Sequence, residues 1–104
     1  KNAAAARTNL GIAATSLYNG TLTSGSITFN YGNYNFYVII GRPSSTASRA
    51  SLVVPKIMLT TSAVSFQIAD ESNYKSFNVS YSGSLVTLAI QGGNGQINRV
   101  FGIN

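Results

Sequence analysis

The chain is 104 residues long, carries seven basic against two acidic side chains for a net charge of +5, and contains neither histidine nor cysteine. That length suits one domain. The missing thiols and imidazoles exclude a disulfide framework, a zinc–cysteine site, a thiol nucleophile and the commonest general base.

Only 9% of the residues are charged, against roughly 25% in an ordinary soluble domain, so the surface is built from Ser, Thr, Asn and Gly. Free monomers usually intersperse both charges for solubility; a surface this neutral is natural for a domain that hides part of itself in an assembly. The basic residues Lys1, Arg7, Arg42, Arg49, Lys56, Lys75 and Arg99 are scattered along the chain. Nucleic-acid binders gather such charge into one stripe with interleaved aromatics, so no nucleic-acid partner is expected, only a mild attraction to anionic surfaces. The longest apolar run, Phe36 to Ile40, is too short to span a bilayer, and no membrane insertion is expected. The chain opens on Lys1 rather than Met, which predicts a piece of a longer polypeptide.

In chain order, "AAAARTNLGI" (3–12) predicts a short helix inside a stalk or linker segment, residues 1–15. Its apolar face, Ala4, Leu10 and Ile12, is too thin to hold a helix alone, because isolated helices under roughly 12 to 15 residues are marginal. After Thr15 the pattern becomes period-two with regularly spaced turn residues, which predicts an all-β domain over residues 16–104. Strands are expected near 16–18, 25–30, 35–41, 51–55, 64–69, 75–81, 84–91 and 96–103. The Asn-Gly pair in "LYNGTL" predicts a tight turn over Tyr18 to Leu22, "YSGSL" a hairpin with Ser82 and Gly83 at its tip, and "QGGNGQ" a wide hairpin loop.

The strands differ in expected burial. "KSFNVSY" alternates, with Phe77, Val79 and Tyr81 inward and Ser76, Asn78 and Ser80 outward. "NFYVIIG" and "SLVTLAI" are nearly apolar on both faces, as strands covered on two sides would be. A domain this small then has a sheet face with no cover inside the chain, and a second copy is the simplest cover. The expectation is a small antiparallel β-sandwich preceded by a short N-terminal helix and assembled as a homotrimer, with Ala4, Arg7, Leu10 and Ile12 packing about the axis.

Catalytic chemistry finds little footing. The two carboxylates, Asp70 and Glu71, are adjacent, and neighbours in an extended stretch point to opposite faces, a poor arrangement for flanking one glycosidic bond. With Asn73 they offer some oxygen ligands for calcium, but an ordinary acidic surface turn accounts for them better. "QGGNGQ" lacks the Gly-Lys-Ser/Thr ending of a phosphate-cradling loop. No enzyme activity, metal or cofactor is expected.

"AAAARTNLGIAA" closely resembles a run that recurs just before the terminal domain of bacteriophage and prophage tail fibres. "LYNGTLTSGSITF" and "YNFYVIIG" are similar to the opening strands of the small β domain at their distal ends, and "INRVFGIN" to their habitual ending. The resemblance implies a homotrimeric tip, at the virion's distal end, that attaches to a bacterial surface glycan or outer-membrane protein. The chain stops almost directly after its last expected strand, which agrees with a terminal, exposed domain. A structural fibre or spike segment without receptor contact, and a free carbohydrate-binding lectin, remain the alternatives.

Binding residues concentrate on loops carried by a rigid scaffold. Three stretches qualify: "NYGNYN" with Tyr31, Asn33 and Tyr34, "GRPSSTASR" with Arg42 and Arg49, and "ADESNY" with Asp70, Glu71, Asn73 and Tyr74. Tyrosine offers a flat face to a sugar ring, and arginine grips phosphate or carboxylate through paired hydrogen bonds. The same tyrosines would also fill a loop rim, and the arginines would also serve as solvated charges.

Overall fold

The computed structural model describes residues 14–104. The leader helix, with Ala4, Arg7, Leu10 and Ile12, lies outside the described residues. Eight strands follow: β1 (Ala14–Leu22), β2 (Ser26–Asn30), β3 (Phe36–Arg42), β4 (Ala50–Pro55), β5 (Val64–Ala69), β6 (Tyr74–Ser82), β7 (Leu85–Gly92) and β8 (Gln96–Ile103). A single 3-10 turn, Lys56–Met58, follows β4. Every strand expected from the period-two pattern overlaps one of these.

All pairings are antiparallel, and the strands form two four-stranded sheets: sheet I in the order β1-β8-β3-β4 and sheet II in the order β2-β7-β6-β5. One core lies between them. Tyr37, Ile39, Val54, Ile97 and Val100 come from sheet I, and Phe29, Ile68, Phe77, Val79, Val86 and Leu88 from sheet II. Alternation explains the choice, because in β6 Phe77 and Val79 are buried while Ser76, Asn78 and Ser80 lie on the other face.

Three features of the fold depart from what the sequence predicts. "LYNGTL" is not a turn: β1 runs through Asn19 and Gly20 to Leu22, with two register irregularities against β8. Neither Asn19 nor Gly20 has the positive φ that a tight Asn-Gly turn requires, and the Tyr18 ring folds back over Gly20. "QGGNGQ" is not a hairpin, because β7 and β8 belong to different sheets and the loop crosses between them. Finally, β7 is not apolar on both faces in effect. Its outward Thr87 and Ala89 sit among Thr28, Ser80, Ser26 and Asn78.

The surplus apolar face belongs to sheet I alone. Register places Phe36, Pro55, Ile103 and Ala14 in one outward row, and Val38, Val53, Phe101 and Ser16 in the next. None of these side chains is fully buried, and Val53 is 54% exposed.

Connectivity gives the sandwich two distinct ends. The near end holds Ala14, the β2–β3 crossover (31–35), the β4–β5 connection (56–63) and the β6–β7 hairpin. The far end holds the β1–β2, β3–β4, β5–β6 and β7–β8 loops. Ile57, at 92% exposed, and Met58 put further apolar surface at the near end.

Candidate functional site

The structure divides the three candidate loops between the two ends. Tyr31, Asn33 and Tyr34 lie at the near end, beside the point where the leader joins; Arg42, Arg49, Asp70, Glu71, Asn73 and Tyr74 lie at or beside the far end.

The near-end tyrosines are occupied by packing. Tyr31 stacks on Tyr81 with ring centroids 4.8 Å apart, and Lys56 Nζ sits 3.9 Å above its ring while donating to the Gly32 carbonyl. The Tyr31 carbonyl accepts from the Tyr37 hydroxyl at 2.6 Å. Tyr34 meets Tyr37 edge-on at 5.9 Å and lies flat against Gly102 of β8, where an added Cβ would fall 2.6 Å from the ring. Asn33 is exposed.

The far-end loops are tied to one another. Lys75, only 2% exposed, donates to the carbonyls of Thr23 at 2.9 Å and Gly93 at 2.6 Å, joining the β1–β2 and β7–β8 loops. Its burial holds the ammonium's pKa below the usual lysine range. Asp70 Oδ1 accepts from the backbone N–H groups of Ser72 and Asn73, which keep its carboxyl below the usual carboxylate range. Asn94 donates through Nδ2 to Asn73 Oδ1, and Gly95 N–H to the Tyr74 carbonyl. Asp70 and Asn73 thus shape their own loop, while the Tyr74 side chain remains 42% exposed.

The most distinctive chemistry lies on the outer face of sheet I, at its far-end half. There a groove of about 550 Å³ is lined by Arg42 of β3, Arg49 of the β3–β4 loop, Arg99 and Asn98 of β8, and Asn19 of β1. Two register breaks build it. β8 bulges opposite Ile40 and Gly41, so that Ile97 and Asn98 are both buried in succession, and β1 is irregular between Asn19 and Leu22 across the same stretch. Bulges of this kind re-aim a side chain. Gly95 is the other device, since its lack of a side chain lets the β7–β8 crossover press on the Arg42 carbonyl, where a Cβ would fall at 2.3 Å.

The groove's polar groups are incompletely paired. Arg42 donates through Nη1 to the Ser45 carbonyl at 3.1 Å, but its Nε and that of Arg99 are buried without a partner. Arg99 lies 4.5 Å over the Phe101 ring. Asn98 donates through Nδ2 to the Gly20 carbonyl at 3.3 Å and to Gln96 Oε1 at 2.7 Å, leaving its Oδ1 buried and unpartnered.

Sequence reasoning named Arg42 and Arg49 but missed Arg99, Asn98 and Asn19. One signal was present: Arg99 is in phase with the apolar Phe101 and Ile103, a charge on their face of the strand. Its closeness to Arg42 depends on the β3–β8 register, which one sequence does not carry. Comparison with known proteins finds no family model, no curated relative and no solved structure that matches this chain.

Proposed function

We propose that this domain is the distal tip of a bacteriophage tail fibre, a homotrimer that attaches the virion to a bacterial surface glycan or outer-membrane protein by contact rather than catalysis. The observation that carries this reading is the pair of apolar rows on sheet I, which no other part of the described chain covers. Contiguous apolar surface of that kind marks a contact site, and Ala14 opens β1 on the same face. Three copies placed side by side about a threefold axis would bury these rows beside the leaders. The far-end loops, with Arg42, Arg49, Asp70, Asn73 and Tyr74, would then point away from the fibre shaft.

The sparse charge agrees with this reading, as does the resemblance of residues 3–14 and of the first strands to fibre tips. The near-end tyrosines, spent on packing, are assigned to the fold.

Light scattering on the purified chain, followed by pull-down onto a panel of Gram-negative cells, tests the proposal. The expected result is a particle of about three chains that sediments with some strains and not others. A stable monomer would remove the trimeric tip, and a trimer that binds no strain would favour the structural fibre segment.

A further inference from the structure

We infer that the groove between β1, β8 and β3 binds an acidic saccharide, with a carboxylate or phosphate on its arginines and a sugar hydroxyl donating to Asn98 Oδ1. The inference rests on the proposed role at a bacterial surface and names the chemistry recognised there.

Three of the chain's seven basic residues meet in this one groove. A guanidinium nitrogen buried without a partner is costly, and two such nitrogens share the groove. An oxyanion in the groove answers this need, because carboxylate and phosphate accept paired hydrogen bonds from a guanidinium fork. A bare anion leaves a second fault in place: Asn98 is 95% buried (5% exposed), and its Oδ1 is an acceptor that needs a donor. A ligand that carries both an oxyanion and hydroxyl groups satisfies the two demands together.

A neutral sugar would offer the guanidinium nitrogens only hydroxyl oxygens, weaker acceptors than an oxyanion, and would leave their charge uncompensated. A nucleic-acid backbone would need a track of phosphate contacts, yet Lys75 is buried in the loops and Lys56 lies at the other end. The groove's volume, about 550 Å³, falls in the range of small-ligand sites. It also lies at the end of sheet I opposite Ala14, the end that the proposed fibre tip would turn to its host.

The test is a chemical-shift titration of the ¹⁵N-labelled chain with four probes: glucuronate, glucose 6-phosphate, glucose and inorganic phosphate. Shifts are expected to centre on Asn19, Asn98 and Arg99, with one or both acidic sugars binding at least about tenfold more tightly than glucose or phosphate. The two acidic arms identify the carboxylate or the phosphate as the preferred group. Arg99→Gln is expected to weaken the preferred probe roughly tenfold or more, as loss of a charge-assisted hydrogen bond would. Arg49→Gln, at an exposed loop residue, is expected to weaken it several-fold without touching the fold.

Binding of phosphate or glucose as tight as that of the preferred acidic sugar would overturn the acidic-saccharide assignment, and shifts centred elsewhere, or none, would overturn the site. So would a neighbouring copy's acidic loop filling the groove, recognised if Asp70→Asn with Glu71→Gln halts assembly and opens the groove to probes. Failure here is separable from failure of the fibre-tip reading. A trimer that binds cells equally well with Arg99→Gln and Arg49→Gln loses only the groove, whereas a monomer that binds the acidic sugar through it loses only the trimer.

Discussion

Tyr37 is 1% exposed, and its hydroxyl donates to the Tyr31 carbonyl, so ionising it would strand a phenolate between the sheets and break that bond. Burial, with Tyr31 and Tyr34 adding to it, pushes its pKa up to about 12 from a usual 10.0. A folded-state pKa above the unfolded one means the contribution is complete below pH 10 and is lost as pH climbs toward 12. The expected loss is roughly 2–3 kcal/mol, whereas Tyr37→Phe costs about 1 kcal/mol at neutral pH for the missing hydrogen bond and lacks that alkaline loss. Urea denaturation of both proteins at pH 8 and near 12 checks this: their difference should close or reverse, and a parallel decline would show that Tyr37 is not the sensitive group. At this scale the sequence was partly legible. Alternation put Lys75 in phase with Phe77 and Val79, but the carbonyls that receive its ammonium lie 52 and 18 residues away, at Thr23 and Gly93. Asn98 was hidden for a similar reason, since a bulge, not a period, turns it inward.

Strands were the most legible elements, because a half-buried strand writes its two faces into the sequence as alternation. Pairing was not, since neighbours in sequence such as β7 and β8 belong to different sheets, and hairpin logic misplaced their connection. The Asn-Gly pair misled for a local reason, as tertiary pairing with β8 holds Asn19 extended against the pair's own turn preference. The near end shows how a crossover is fastened to a strand it does not follow. Tyr34 lies on Gly102, at the near end of the inner strand β8, and the contact falls at ring atoms close to its own backbone, so a methyl there forces the whole ring to move. Gly102→Ala is therefore expected to cost about 1–3 kcal/mol by overpacking. Tyr34→Ala, which removes the ring, should cost a comparable amount through lost packing. The double variant should cost clearly less than the sum, because the added methyl enters the space the ring has left. Thermal melts of the three variants and the parent supply the cycle, and strict additivity would mean that the ring and the glycine do not act together.

On the scale of the whole molecule, one sheet carries two kinds of surface. Sheet I is apolar in its near-end half, with Phe36, Val38, Val53, Phe101 and Ile103, and cationic in its far-end half, with Arg42, Arg49 and Arg99; sheet II turns Ser, Thr and Asn outward. Packing the apolar halves of three copies would set three grooves around one far end, where like charge opposes closer approach and leaves them open to solvent. Weak single-site binding would then add up through multivalency, provided the receptor repeats at a matching spacing.

The same division makes assembly sensitive to charge on one sheet and not on the other. Val53 is 54% exposed, so Val53→Glu should change the stability of an isolated domain by no more than about 0.5 kcal/mol. In a trimer that buries its row, three carboxylates without partners would enter an apolar contact, at a cost of several kcal/mol each. Light scattering should then return one chain for Val53→Glu and three for Thr87→Glu, which places the same charge on the outer face of sheet II. Circular dichroism and melting curves taken alongside separate disassembly from unfolding. Equal masses for the two variants would move the contact off sheet I, and with it the reason its near-end half is apolar.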